Sequence, residues 1–119
     1  MAKGERLRVQ IRRDNARVIV LLAGDLDHGT SNLMRDQVVS AVAAAPLTQL
    51  VLDMGLVEFC DSSGLRALVL SWKAAREAGA KISLVAVNDR CRALLDRTGL
   101  MPFLDLHDDL QAVAPQATA

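Results

Sequence analysis

Strand-type and helix-type periods alternate along most of this chain, and that alternation restricts the fold more than any other feature. "RVIVLLAG" (17–24) is an unbroken aliphatic and β-branched run. "NLMRDQVVSAVAAAP" follows it, with Met34, Val38, Ala41, Val42 and Ala45 at helical spacing, Thr30 or Ser31 available as N-cap and Pro46 as stop. "LTQLVLDM" returns to strand character. Leu65, Leu68, Trp72 and Ala75 form a second helical stripe that Gly79 closes, "AKISLVAV" is a further strand, and Asn88 stands as cap before Cys91, Leu94 and Leu95 on one helical face. Strand–helix–strand units of this length require parallel strands joined by crossover helices, so the class is α/β, a mixed sheet of four to five strands.

The beginning of the chain adds an antiparallel partner. "LRVQIRR" alternates Leu7, Val9 and Ile11 with Arg8, Gln10 and Arg12, the period of an edge strand with one wet face. Asp14-Asn15 supplies the turn into 17–24, whose continuous apolar character suits a strand covered on both faces. Near the other end the residues allow a short strand around Phe103 to Leu106 and a short helix begun by Asp108-Asp109. No repeat or linker divides the 119 residues, so 7–113 reads as one domain, with 1–6 and 114–119 expected to be flexible.

Composition narrows the function. Fourteen basic residues balance fourteen acidic ones and aromatics make up only 3%, which argues against nucleic acid as a partner, since neither a basic field nor stacking platforms are at hand. No segment approaches the roughly 20 apolar residues of a membrane span, and "MAKGERLRVQ" has no signal-peptide character, so a cytoplasmic domain without membrane contact is expected. Cys60 and Cys91 form neither a C-x-x-C pair nor a metal cluster with His28 and His107, and are expected as buried free thiols. No metal or cofactor is expected. Asp25 and Asp27 end a strand, where Mg²⁺ sites can form, but with no third ligand in sight they read as solvated turn acids; Asp53 reads as a strand-end acid that bonds loop N–H groups.

One stretch exceeds what folding asks for. In "EFCDSSGLRAL" (58–68), Asp61, Ser62, Ser63 and Gly64 stand directly before the second helical stripe. A single Asp or Ser suffices as N-cap, and glycine at a helix entry costs about 1 kcal/mol. Capping and function therefore stay open on the residues alone. A hydrolase would need a base and an elbow such as G-x-S-x-G, and the sequence reads C-D-S-S-G with only the loop residue His28 as a candidate base. A serine at a helix N-terminus that accepts a phosphoryl group needs no base, because a kinase supplies Mg²⁺, ATP and proton removal.

Three segments together resemble the STAS domain family, specifically bacterial anti-sigma factor antagonists: "GDLDHGTSNLMRDQV", "LVLDMGLVEFCDSSGLRAL" and "LLDRTGL". The resemblance spans Leu7 to about Leu110. It implies a STAS fold without catalytic activity and makes Ser63 the phosphoacceptor, with Asp27 the nearby acid of the first loop and Asp61 and Ser62 the flanking residues. Ser62 is then expected to serve as the cap. Gly64, Leu65 and Arg66 complete the surface offered to a partner; Arg66 departs from the glycine found after this leucine in some members, and Thr98 replaces a common serine. The resemblance further implies partner switching, in which the unphosphorylated protein binds an anti-sigma factor serine kinase and releases a sigma factor, phosphorylation of Ser63 ends the binding, and a serine phosphatase restores it. A STAS subunit regulating or scaffolding a transporter or stress-signalling complex is the alternative, and a small serine hydrolase the third.

Overall fold

The computed structural model describes residues 6–113. The expected flexibility of 1–5 and 114–119 therefore lies outside the described residues. Arg6, the remaining member of the first of these segments, accepts a hydrogen bond from the Asp25 N–H at its carbonyl, 2.7 Å away.

Strands β1 (Leu7–Asp14) and β2 (Arg17–Leu26) form the expected hairpin, Asp14 facing Arg17 across a turn in which Asn15 takes φ +56°. Helix α1 (Ser31–Ala44), strand β3 (Gln49–Cys60), helix α2 (Ser62–Glu77), strand β4 (Lys81–Val85), helix α3 (Asp89–Asp96) and strand β5 (Asp105–His107) follow. A 3₁₀ turn over Met101–Phe103 precedes β5, and another over Leu110–Ala112, capped by Asp109, follows it. The five strands lie in the order β1-β2-β3-β4-β5, the first pair antiparallel and the rest parallel.

That steady order decides which face the helices cover. Parallel crossovers are right-handed, so three successive ones that advance in the same direction lay all three helices on one side. Accordingly Val18, Val20, Leu22, Leu50, Leu52, Ile82 and Leu84 share one core with Met34 and Val38 of α1, Leu68 and Trp72 of α2, and Cys91 and Leu95 of α3. The opposite face carries a small cluster only, Ile19, Val51 and Val85 under Val113. The expectation that β2 is covered on both faces thus needs correction. Beyond Ile19, Leu21 and Ala23 are half-buried and neighbouring Leu56 of β3 is 70% exposed, because among the described residues no element crosses that end of the sheet.

β3 is longer than its apolar run suggested. Against β2 its register slips twice: Leu21 pairs with Asp53 but Ala23 with Leu56, and Gly24 pairs with Val57 but Asp25 with Phe59. Each slip adds one residue to β3 and reverses the in-out alternation. The helix-facing residues therefore run Leu50, Leu52 and Met54, then Val57, then Cys60. The Asp53 carboxylate bonds the Gly55 N–H at 2.9 Å, so it holds a bulge inside the strand where a strand-end loop was expected.

Candidate functional site

β3 delivers the chain to the sheet end where β2 also finishes. The carbonyl of Leu26, last residue of β2, accepts the Asp61 N–H at 3.3 Å. Asp61 then caps α2: its Oδ1 accepts the Gly64 N–H at 3.0 Å and its carbonyl accepts the Leu65 N–H at 2.9 Å. Its Oδ2 accepts the His28 N–H at 3.3 Å, so one carboxylate joins the loop after β2 to the entry of α2. Asp61, and not Ser62, is therefore the cap. Its extended backbone directs the side chain back over the first turn, whereas Ser62 already lies in the helix.

Both serines are left free by this arrangement. Ser62 is exposed and Ser63 half-buried, and within the described residues neither hydroxyl makes a hydrogen bond, to a histidine or to any other group. Their N–H groups belong to the first helical turn, which has no intrahelical acceptors for them. A phosphoryl group on either oxygen would meet these donors and the positive end of the helix. Gly64 is buried, and a Cβ there would collide with the Leu26 carbonyl oxygen and stand 2.8 Å from its carbon. Glycine at the helix entry is thus explained by close approach of α2 to β2. Leu65 packs against the core and Arg66 is exposed on the next part of the turn.

The loop from Asp25 to Thr30 forms the other half of the site. Asp27 is not a free acid: Arg6 grips it in bidentate fashion at 2.7 and 3.1 Å, the Gly29 N–H reaches its Oδ1 at 2.9 Å, and the Thr30 hydroxyl lies 3.3 Å from that oxygen. Only 13% of the Asp27 side chain remains exposed. Thr30 occupies the cap position of α1 without capping it, since its hydroxyl donates to the Asp25 carbonyl at 2.7 Å and accepts the Asp27 N–H at 2.9 Å. The two loops are tied together by the bond from His28 to Asp61 and by that from Asp61 to Leu26. Among the described residues no group of three or more His, Cys, Asp or Glu side chains could hold a metal ion. No helix there is long and apolar enough to cross a membrane.

Three basic residues were not singled out from the sequence. Arg6 could have been found from the hairpin register: with Leu7 opposite Gly24, the residue before it falls beside the acidic loop. Arg90 and Arg97 of the α3 region line a groove with Cys60, Asp61, Ser62, Ala93 and Leu94, beside the first serine. Arg90 also stacks on Phe59, its guanidinium carbon 5.1 Å from the ring centroid. Only tertiary packing brings these arginines there, so no local pattern announces them.

A family profile described as the STAS domain matches residues 7–113. An anti-sigma F factor antagonist of Paenibacillus polymyxa is 30% identical over 103 residues, which cover 87% of this chain and 88% of that protein. An anti-sigma-B factor antagonist of Bacillus subtilis is 25% identical over 104 residues, 84% of this chain and 90% of that one. Among solved structures, an anti-sigma factor antagonist from Mycobacterium paratuberculosis superposes with a TM-score of 0.75 at 25% identity, covering 94% of each chain.

Proposed function

Because this chain belongs to the STAS domain family and is similar along most of its length to anti-sigma factor antagonists, we propose that it is a partner-switching regulator and not an enzyme. Unphosphorylated, it binds a cytoplasmic anti-sigma factor that is also a serine kinase, and so releases a sigma factor. Ser63 is the phosphoacceptor, and a serine phosphatase resets the protein. The observation that carries this reading is the entry of α2: Asp61 alone satisfies the cap, and two adjacent serines are left with unengaged hydroxyls at a helix N-terminus. Asp61, Ser62, Gly64, Leu65 and Arg66 surround Ser63 in the docking surface, while Asp27, gripped by Arg6, shapes the adjoining loop.

Charge is sufficient to work the switch. A hundredfold loss of affinity corresponds to about 2.7 kcal/mol. Phosphoserine carries about −1.5 to −2 charge, and a unit pair at 4 Å is worth about 4 kcal/mol at an effective dielectric of 20. Asp61 and acids on the partner supply the repulsion; Asp27 contributes less, because Arg6 neutralises it. Titration calorimetry of the two forms against the anti-sigma factor tests the reading. Binding of the unphosphorylated form, weakened about a hundredfold or more by phosphate, is expected, and equal affinity of the two forms would refute the switch.

A further inference from the structure

One stripe of α3 stays out of the core and borders the serine-bearing turn. Cys91 and Leu95 take the buried face, and Arg90, Ala93, Leu94 and Arg97 repeat beside it at the i, i+3, i+4, i+7 spacing of a second face. An arginine thus stands at each end of the stripe, the two about 10 Å apart along the helix axis with uncharged residues between them. With Cys60, Asp61 and Ser62 the stripe walls a hollow of about 270 Å³. Arg90 is held by its stack on Phe59, and a guanidinium stacked by its flat side keeps its N–H edge available. Among the described residues neither Arg90 nor Arg97 has an ion-pair or hydrogen-bond partner for its guanidinium. The acid in the hollow does not serve them: the Asp61 carboxylate oxygens accept the N–H groups of Gly64 and His28. Arg6, in contrast, is taken up by Asp27.

We propose that Arg90 and Arg97 determine partner specificity by seating an acidic side chain, Glu or Asp, of the anti-sigma factor kinase in this hollow. The assignment rests on partner switching as the function and gives the partner's contact a chemistry. An apolar side chain placed there would cover two guanidinium groups and replace none of their hydrogen bonds to water, whereas a carboxylate matches the forked donors of each. The direction of the switch selects the same charge. Ser62 lines the hollow and Ser63 follows it in the chain, so a phosphate of about −1.5 to −2 charge on Ser63 comes up beside the seated carboxylate and repels it. A basic segment in the same place would be drawn closer by the phosphate, the opposite of release.

The test is calorimetric titration of the full-length chain against the kinase at low and high NaCl, without ATP so that Ser63 stays unmodified. Arg90→Ala and Arg97→Ala should each weaken binding about tenfold or more, Arg97→Glu should weaken it further, and all three should flatten its salt dependence. Arg12→Glu makes the same charge change near the hairpin turn, at the other end of the sheet, and should leave the affinity nearly as it is. Replacing the kinase's surface acids by lysine one at a time should yield a variant that restores binding to Arg97→Glu and loses it to the parent. Parent affinity and salt dependence in Arg97→Glu, an equal loss in Arg12→Glu, or rescue by none of the lysine variants would each overturn the proposal and leave partner switching standing. A parent chain that does not bind the kinase would remove both. Arg97 is exposed, so thermal unfolding of Arg97→Glu should match the parent, and the Arg97 variants carry the test even if loss of the Phe59 stack unfolds Arg90→Ala.

Discussion

Replacing Gly64 by alanine tests the close approach on which the site is built. In an unconstrained helix the change would stabilise by about 1 kcal/mol, since glycine is the poorer helix former. Here the added Cβ collides with the Leu26 carbonyl oxygen and stands 2.8 Å from the carbonyl carbon and 2.9 Å from the Leu26 Cγ. Two of these neighbours are backbone at the end of a central strand, so α2 has to retreat; reaching an ordinary 3.4 Å from the carbon alone takes 0.6 Å. Overpacking of this kind costs typically about 1–3 kcal/mol. The retreat also stretches the Asp61–Leu26 hydrogen bond, already 3.3 Å long, whose loss adds about 1 kcal/mol. The expected balance is a net loss of about 2 kcal/mol. In a domain of this size that lowers the thermal midpoint by about 8 °C. Urea and thermal unfolding of Gly64→Ala measure it. A variant as stable as the parent, or more stable, would show that α2 does not press on Leu26 and would remove the account of why glycine is needed there.

Asp61→Ala should cost about 1–2 kcal/mol in the same assay, because it deprives the Gly64 N–H of its cap and releases His28; Ser62→Ala, lacking any such bond, should stay within about 0.5 kcal/mol of the parent. Arg66→Ala should widen the discrimination against the phosphorylated form, since Arg66, three residues beyond Ser63, can draw the phosphate to itself; unchanged discrimination in calorimetry would separate Arg66 from the switch. At Asp105 burial acts to raise the pKa, but hydrogen bonds from His107 and Ser83 and the charge of Lys81 outweigh it and hold the carboxyl below its ordinary range. A depressed carboxyl stabilises the fold above its unfolded pKa, and that contribution fades as pH falls through the folded value. Asp105→Asn should therefore flatten the decline in the urea midpoint below about pH 4 and change its slope little near neutrality.

The helical stripes, the Asn88 cap and the turn at Asp14-Asn15 were legible in the sequence because each depends on neighbours within a few residues. Asn88 accepts the Cys91 N–H at 2.8 Å, as its place before the stripe suggested. The second half of β3 was hidden because two register slips break the period-two signal after Met54. The open face of the sheet was hidden for another reason: an all-apolar strand looks the same whether one or both faces are covered, and only the strand order shows that every helix lies on one side. In the site, the serines and their glycine were visible as a surplus over capping, but the choice of Asp61 over Ser62 depends on backbone angles that composition does not encode. The grip of Arg6 on Asp27 and the arginines beside Ser62 join residues 21 or more positions apart, and no pattern in one sequence points to such pairs.

One serine of the pair at the entry of α2 is the proposed switch. Incubation of the protein with its cognate anti-sigma factor kinase and ATP, followed by mapping of the modified peptide, tests it most directly. Expected are a single phosphate on Ser63 and none on Ser63→Ala, a variant that stays folded and holds the kinase whether or not ATP is present. Phosphate on Ser62 that persists in Ser63→Ala, or no phosphate on either serine while the complex still dissociates with ATP, would contradict it.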